Sequence, residues 1–280
     1  MKEKILHGVF VAAACVCISC VALICLFLFV NGIPAIGKIG PLAFLLGTTW
    51  KPGNDLYGIA PMILGSIYVT AGAVIFGVPL GVFTAIFMAK FCGKTPHKVF
   101  SPLVSLLAGI PSIIYGFFGL VVLVPALRFL FGGSGKSLLT ASLLLALMIL
   151  PTIISISESS IRAIPESYYE GALALGATHE QSVFFAVLPA ARSGIMAGVV
   201  LGIGRAIGET MAVIMVAGNQ AVVPRGLFRG LRTLTANIVL EMGYAADLHR
   251  EALISTAVVL FVFILIINIL LSLSKKKVQG

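Results

Sequence analysis

The sequence predicts an all-α membrane protein whose chain crosses a bilayer six times. Of its 280 residues, 59% are hydrophobic and 10% are charged, and the mean hydropathy is +1.12. Soluble domains carry about 25% charged residues, so a soluble fold of this length would leave too much apolar surface in water. The second observation is that long apolar stretches alternate with short polar segments, as expected when lipid is the solvent.

A membrane-spanning helix needs about 20 largely apolar residues, and six stretches meet this requirement. We predict spans at 8–30, 61–89, 102–131, 138–157, 193–217 and 251–274. The first stretch exceeds the 7–15 apolar residues typical of a signal-peptide core, so we expect it to be retained. We therefore divide the chain into a first transmembrane anchor with an external segment (1–60) and a transmembrane domain of five helices (61–274).

Charge placement predicts the orientation. Lysines cluster at the N-terminus, at 90–98 and at 275–277, and basic residues concentrate on the cytoplasmic side of membrane proteins. We expect both termini in the cytoplasm, 31–60 and 219–250 outside, and Trp50 near the lipid headgroups. Pro79 and Pro111 predict helix kinks.

Several function classes are disfavoured by composition. The net charge of +9 is scattered over span ends, which argues against nucleic-acid binding. Four of the five cysteines lie in one apolar stretch and the four histidines lie at or beyond span ends, so we predict no metal site and no cofactor. Residues 132–137 read Gly-Gly-Ser-Gly-Lys-Ser, but Leu130 stands where a P-loop needs its first glycine, so we predict a turn between spans.

One polar stretch, residues 163–192, predicts two short helices around a glycine. Pro165 suits the start of the first helix, and Gly176 suits the left-handed conformation that ends it. Thr178 and Gln181 have the spacing of a capping box, which begins the second helix. We expect Pro189 to end that helix.

The same stretch resembles the EAA loop of ABC importer permeases. The matching positions are Glu170, Gly171, Ala172, Gly176, Leu188 and Pro189. Gly171 stands for the usual second alanine of the family, and Ala186 for its usual aliphatic residue. The resemblance implies the type I ABC importer permease fold, with 163–192 as a cytoplasmic loop that docks on an ATPase subunit and couples ATP hydrolysis to the permease.

The fifth predicted span carries glycines and charges together. Gly194, Gly198 and Gly202 recur every four residues, as do 204 and 208, which lets helices approach closely. Arg205 and Glu209 lie four residues apart on one predicted helix face. Each charge costs about 2.5–3.5 kcal/mol at the bilayer centre. Either they neutralise each other structurally, or Arg205 attracts a small oxyanion while Glu209 orients Arg205 or competes for it.

Four segments resemble the C-type permease subunits of high-affinity phosphate ABC importers: 47–52, 108–119, 204–213 and 234–243. The resemblance implies a heterodimer with a second permease subunit, an ATPase subunit dimer and an extracytoplasmic phosphate-binding protein. It also implies a bacterial or archaeal cytoplasmic membrane, and places Arg205 and Glu209 at the family's charged pair. ATP hydrolysis is expected on a separate chain, so this chain is not expected to be an enzyme.

Other interpretations stay open at this point. The permease transports another oxyanion such as molybdate or sulfate; the chain is an ion-coupled secondary transporter with Glu209 as proton site; or it is a membrane enzyme with Glu209 as acid or base. Three arginines share a face if their loop is helical, and either dock the binding protein, guide phosphate, or form a solvated surface: Arg225, Arg229 and Arg232.

Overall fold

The computed structural model describes residues 2–279, with side chains described for residues 6–270. Most of this part of the chain is helical. The helices are α1 (Lys2–Ile39), α2 (Pro41–Leu46), α3 (Ala60–Ile86), α4 (Lys94–Gly109), α5 (Ser112–Phe118), α6 (Val124–Phe131), α7 (Leu138–Arg162), α8 (Glu166–Ala174), α9 (His179–Ser182), α10 (Leu188–Gly208), α11 (Met211–Val216), α12 (Leu234–Glu241) and α13 (Asp247–Gln279). Two short strands, β1 (Trp50–Lys51) and β2 (Leu56–Tyr57), form an antiparallel hairpin.

Within the described residues, six helical segments are long and apolar enough to cross a membrane, which confirms the predicted number. They are Leu6–Ile39, Ala60–Phe91, Ser112–Phe131, Leu138–Arg162, His179–Gly208 and Asp247–Leu270. Six crossings place the two described ends of the chain at the same end of the bundle. We call this the α8–α9 end, and the opposite end, where β1 and β2 lie, the hairpin end.

The central helix of the bundle is α7, the most buried of the six spans. Near the hairpin end, the Ser142 hydroxyl donates to the Val69 carbonyl, and near the α8–α9 end Arg162 donates to the Met88 carbonyl. These two contacts show that α3 and α7 run parallel along their length. The first helix, α1, packs outside this core, mainly on α13, where Phe29 meets Phe261 edge to face.

The glycines of the fifth span explain how α10 lies against α7. A Cβ atom on Gly194 would lie 2.4 Å from the Ser160 Cβ, and one on Gly202 would lie 2.9 Å from Ile153 Cγ1. Gly198 likewise has Ile156 within 3.2 Å. The predicted close approach is therefore confirmed at these three glycines. Residues 204 and 208 have open space instead, so they lie away from this contact.

The third span is shorter than predicted because the chain breaks at Pro111. Ile110 takes an extended conformation, since a residue before proline avoids the helical region and proline offers no backbone N–H. The break separates α4, which carries the basic segment 94–98 in its first turn, from α5, where the span now begins. Pro79, in contrast, stays inside the uninterrupted helix α3.

The fifth span starts earlier and ends earlier than predicted. Pro189 was expected to break the second loop helix, and this prediction was wrong. The chain stays helical through one π-helical turn, Val183–Val187, and Pro189 occupies the first turn of α10, where a missing N–H is tolerated. The span ends at Gly208, because Glu209 is extended, and α11 begins only at Met211.

A buried polar cluster closes the hairpin end. The Glu241 carboxylate accepts hydrogen bonds from the Trp50 indole (2.8 Å) and pairs with Arg232 and with His249. Trp50 is 6% exposed and stacks edge to face with Tyr57. The Trp50 indole thus packs inside the protein and is satisfied by a buried carboxylate, while its position near the headgroups stays a prediction.

The hairpin itself turns at Pro52–Asn54 and brings Tyr57 opposite Trp50. The Tyr57 hydroxyl donates to the Asp55 carboxylate at 3.3 Å. Burial raises the pKa of the Tyr57 phenol, and the Asp55 charge adds to this effect. The phenol thus stays protonated and available as a donor.

The loop before α12 is not helical, so its arginines do not share a helix face as expected. Arg232 turns inward, where it donates to the Asn219 carbonyl and the Asn237 side chain. Arg225 and Arg229 instead line an open cavity of about 540 Å³ at the hairpin end. The turn at 132–137 lies beside this loop, since the Leu138 N–H donates to the Arg229 carbonyl.

The polar cluster yields a first prediction. Glu241→Gln removes the negative charge that pairs with Arg232 and leaves this largely buried guanidinium without its counter-charge. We therefore expect a loss of about 3–5 kcal/mol of unfolding free energy. Glu251→Gln is the matched control, because the Lys38–Glu251 pair is 57% and 38% exposed and such pairs contribute about 0–1 kcal/mol. Denaturant unfolding of the purified chain in detergent measures both, and equal losses would contradict the described cluster.

The α7–α10 contact yields a second prediction. Gly194→Ala forces its new methyl group into Ser160, and such overpacking costs about 1–3 kcal/mol. In Gly204→Ala, the new methyl group has no neighbour within 4 Å. The higher helix propensity of alanine should stabilise the protein by up to about 1 kcal/mol. Thermal unfolding in detergent should therefore show a lower midpoint for the first variant than for the second. The reverse order would mean that α10 presents a different face to α7.

Candidate functional site

Two interrupted membrane segments meet inside the bundle. Helix α5, which follows the Pro111 break, packs on α11, which follows the Glu209 break. A Cβ atom on Gly116 of α5 would lie 2.9 Å from the Ala212 Cα of α11, so the two backbones are in direct contact. Broken helices in membrane proteins need protein or water partners for the freed backbone groups, and they often form transport sites.

At the first break, one side chain closes the gap. The Tyr115 hydroxyl donates to the Leu107 carbonyl at 2.9 Å, across the interruption between α4 and α5. The Ile110 N–H reaches the same carbonyl at 3.4 Å. Tyr115 therefore satisfies a carbonyl that the Pro111 break leaves without its helical partner.

At the second break, Glu209 acts as a local cap. Its carboxylate accepts from the Ala212 N–H at 3.2 Å, in the first turn of α11. Its carbonyl accepts from the Thr235 hydroxyl at 3.1 Å, which ties the break to α12. A carboxylate at a helix start satisfies free N–H groups and complements the positive end of the helix dipole.

The predicted pairing of Arg205 with Glu209 is wrong. Glu209 lies beyond the end of α10 with ψ 132°, so the two residues do not share a helix face. Among the described side chains, no carboxylate lies within 4 Å of the Arg205 guanidinium. Arg205 is half-buried, and its Nη1 donates to the Thr152 hydroxyl of α7 at 3.4 Å.

The contact with Thr152 places Arg205 deep in the bundle. From Thr152 to Arg162, at the α8–α9 end, α7 rises about 15 Å. This is about half of a hydrocarbon core of ~30 Å. A guanidinium at that depth, held by one hydroxyl and without a described acidic partner, has N–H donors that remain available to a ligand.

The helical loop at the α8–α9 end folds as the sequence predicts. Gly176 has φ +85°, and the N–H of Ala177 donates to the Ala172 carbonyl, so α8 ends in a left-handed cap. The capping box is present in both directions: the Thr178 N–H donates to the Gln181 side chain at 2.9 Å, and the Gln181 N–H donates to the Thr178 hydroxyl at 3.3 Å.

Side chains from the π-helical turn that follows α3, Phe87–Phe91, hold this loop against the bundle. Lys90 pairs with Glu166 at 3.3 Å and lies over the Tyr169 ring. Tyr169 is hydrogen-bonded to His179 at 2.7 Å, and His179 packs edge to face on Phe91. The loop therefore has a defined seat on the membrane helices.

The six residues that resemble the EAA loop divide into an outward and an inward set. Glu170, Gly171, Gly176 and Pro189 are exposed, whereas Ala172 and Leu188 are partly buried. Large apolar side chains are exposed beside the outward set, with Leu175 at 91% and Phe185 at 80%. Such exposure at the tip of a well-seated loop is typical of a protein-docking surface.

Sequence reasoning missed Thr152 and Tyr115 as partners of the site. Both lie on other helices from Arg205, so no spacing in the sequence relates them to it. The cap formed by Glu209 could have been found from local sequence. Glu209 precedes an apolar stretch, and its carboxylate accepts from the Ala212 N–H, three residues later, at the start of α11. The seat formed by Lys90, Tyr169 and His179 likewise depends on tertiary contacts.

Comparison with known proteins adds family evidence to this geometry. The family described as "Binding-protein-dependent transport system inner membrane component" matches residues 77–280. The chain is 41% identical to "Probable ABC transporter permease protein YqgH" of Bacillus subtilis, over 94% of this chain and 89% of that protein. It is 35% identical to "Phosphate transport system permease protein PstC" of Mesorhizobium japonicum, over 95% and 88%. It is 34% identical to "Probable phosphate transport system permease protein PstC" of Methanocaldococcus jannaschii, over 87% and 84%.

Solved structures give the same fold at low identity. An inward-facing conformation of the MetNI methionine ABC transporter aligns with a TM-score of 0.64 at 20% identity, covering 82% of this chain and 99% of that one. A bacterial alginate ABC transporter aligns with a TM-score of 0.56 at 16% identity, covering 91% and 92%. The chain is thus a multi-pass transport component and not an enzyme. It belongs to the family of binding-protein-dependent transport system inner membrane components and has the type I ABC importer permease fold.

Proposed function

We propose that the chain is the C-type permease subunit of an ATP-driven phosphate importer and forms one half of its translocation pathway. The observation that carries the proposal is Arg205, an intramembrane guanidinium that lies beside two helix breaks without a described acidic partner. The names of several relatives, which denote phosphate permeases, select the anion among oxyanions of similar charge.

The chemistry follows from the geometry of the second break. A phosphate ion entering the bundle must exchange its hydration shell for fixed donors, and the Arg205 guanidinium offers a planar set of N–H groups that suits an oxyanion. Glu209 would repel the ion if it faced the pathway. Its carboxylate is instead held by the Ala212 N–H, so we infer that Glu209 shapes the break and keeps its own charge away from the anion.

The open face of α10 supports a two-subunit pathway. Gly204 and Gly208 flank Arg205, and a Cβ atom on either would meet nothing in this chain. We infer that a second permease subunit lies opposite this face and completes the pathway. An extracytoplasmic phosphate-binding protein would deliver the ion at the hairpin end, where Arg225 and Arg229 line an open cavity.

The α8–α9 loop is proposed to dock on an ATPase subunit of a dimer. Glu170, Gly171, Ala172 and Gly176 lie in the loop, and Leu188 with Pro189 opens α10. Because Pro189 does not interrupt the helix, His179–Gly208 is one continuous segment from the loop to the Arg205 site. A displacement of the loop on ATP binding would therefore reach Arg205 through a single helix. We therefore infer that the loop and both termini lie in the cytoplasm, and that the chain lies in a bacterial or archaeal cytoplasmic membrane.

The proposal as a whole is tested by ATP-driven uptake in proteoliposomes that contain both permeases, the ATPase and the binding protein. Labelled phosphate, molybdate and sulfate are compared, since a guanidinium attracts all three. Uptake of phosphate that requires ATP supports the proposal. Uptake that proceeds without the ATPase would favour an ion-coupled transporter, and uptake of molybdate or sulfate alone would change the substrate.

Arg205→Gln should abolish phosphate uptake while the complex still assembles, because the glutamine keeps a donor for Thr152 but loses the charge that attracts the anion. Uptake should fall at least about a hundredfold, in line with about 3 kcal/mol for a charged hydrogen bond. Arg250→Gln, which removes an exposed charge from the start of α13, serves as control and should transport normally. Unchanged uptake by the Arg205 variant would remove Arg205 from the pathway.

Gly176→Val should uncouple the complex, since Gly176 has φ +85° and a β-branched residue is strained there. We expect the binding protein to lose its stimulation of ATPase activity while the membrane spans still fold. The matched control is Gly171→Ala, which introduces the usual residue of the EAA pattern at a position where a Cβ atom meets nothing. Coupled ATPase activity should survive this change, and a loss equal to that of Gly176→Val would contradict the docking role of the turn.

A further inference from the structure

A polar cavity of about 320 Å³ lies between α4 and α7 at the α8–α9 end, apart from the Arg205 site. Four serine side chains contribute to its lining: Ser101 and Ser105 from α4, and Ser155 and Ser159 from α7. Ser105, Ser155 and Ser159 are exposed, although each lies in a helix with many apolar residues. A helical serine can donate to the carbonyl four residues before it, so exposed serines alone do not require water. Here His97, Glu158 and Arg162 line the same cavity, and such polar groups favour contact with water over contact with lipid.

The α7 serines continue a stripe that starts at the Arg205 site. Thr152, Ser155, Ser159 and Arg162 follow one another at helical spacing and therefore lie on one face of α7. The upper end of this stripe, Thr152, holds the Arg205 guanidinium. The lower end, Arg162, lies at the last turn of the helix. The stripe thus spans about 15 Å, from the depth of Arg205 to the α8–α9 end.

Helix α4 presents a matching stripe across the cavity. His97, Ser101 and Ser105 recur every four residues and lie on one helix face. The Ser105 hydroxyl donates to the Ser101 carbonyl at 3.0 Å, which leaves its oxygen free to accept from water. The two stripes face each other, because side chains from both line the same cavity.

One carboxylate contacts both an imidazole and a guanidinium at the mouth of the cavity. Oε1 of Glu158 contacts His97 Nε2 at 2.6 Å and Arg162 Nε at 2.8 Å. Arg162 also donates through Nη2 to the Met88 carbonyl. An anion that arrived from Arg205 would meet these same donors, with Glu158 as the group that it displaces.

We propose that these two stripes line the release half of the oxyanion pathway, and that Arg162 and His97 exchange Glu158 for the departing anion. This inference rests on the proposed function, since it takes Arg205 as the site from which the ion leaves. The serine hydroxyls both donate and accept, so they replace part of the hydration shell without binding the ion tightly. Glu158 then competes for the same donors and favours release.

A second cavity beside α7 is apolar and allows a comparison. On another face, α5 and α7 line an apolar cavity of about 350 Å³ with Ile114, Phe118, Leu147 and Leu150. Leu147 is 40% exposed and lies about 7.5 Å from Thr152 along α7, towards the hairpin end. A residue there would face lipid or an apolar surface of a partner, whereas Ser155 would face water.

Thiol accessibility tests the inference in the assembled complex. The five native cysteines are changed to alanine, and Ser155→Cys, Ser159→Cys and the control Leu147→Cys are introduced one at a time. A membrane-impermeant, anionic methanethiosulfonate is applied from the α8–α9 side, where it reacts only with thiolates in contact with water. We expect Ser155→Cys and Ser159→Cys to react at least about tenfold faster than Leu147→Cys.

The charge of the reagent tests the anion selectivity of the same space. At Ser155→Cys, the anionic reagent should react faster than a cationic reagent of similar size, because Arg205 and Arg162 make the potential positive. Glu158→Gln should increase this preference, since it removes the competing negative charge. Arg205→Gln should decrease it.

The outcomes separate the inference from the function on which it rests. If Ser159→Cys reacts but Ser155→Cys is as slow as Leu147→Cys, the cavity is only a solvated helix end and the inference fails, whatever the wild-type complex transports. Equal rates with anionic and cationic reagents would also overturn it. If the wild-type complex takes up no phosphate while Ser155→Cys shows the anionic preference, the proposed substrate fails and the anion-selective passage stands.

Discussion

A positive charge inside a membrane-spanning helix needs polar neighbours. Arg205 is such a charge, and the contacts around it explain much of this structure. The guanidinium lies at the depth of Thr152, in a helix whose glycines on one side allow α7 to come close. Its counter-charge in this chain would have been Glu209, but that carboxylate is engaged by the start of α11. Under the proposed function, the Arg205 charge is therefore available to the transported anion.

The helix breaks beside Arg205 are stable because side chains take over the lost backbone hydrogen bonds. Tyr115 satisfies a carbonyl at one break, and Glu209 and Thr235 satisfy groups at the other. The segment that carries Arg205 continues without interruption to the α8–α9 loop, since the π-helical turn and Pro189 both remain within it. One helix thus joins the surface proposed for the ATPase to the site proposed for the anion, so the two are mechanically linked.

The sequence predicted the class of fold, the number of spans and the turn at Gly176 because these depend on local signals: apolar length, glycine and capping residues. It failed where tertiary contacts or helix continuity decide. Glycine and proline marked the positions of change, but did not tell that the helix continues through Pro189 and ends at Gly208. The Arg205–Glu209 pair was inferred from spacing alone, and the break at Glu209 removed the shared face. The buried bond between Trp50 and Glu241 could not be predicted either, because the two residues lie 191 positions apart in the chain.

The most direct test of the central claim is a cryo-electron microscopy map of the assembled complex with phosphate trapped in the permease by an inactive ATPase. The account predicts a tetrahedral density within hydrogen-bond distance of the Arg205 guanidinium, with Glu209 still at the start of α11. A map in which Arg205 pairs with a carboxylate, of this chain or of the second permease, and the phosphate density lies elsewhere would contradict it.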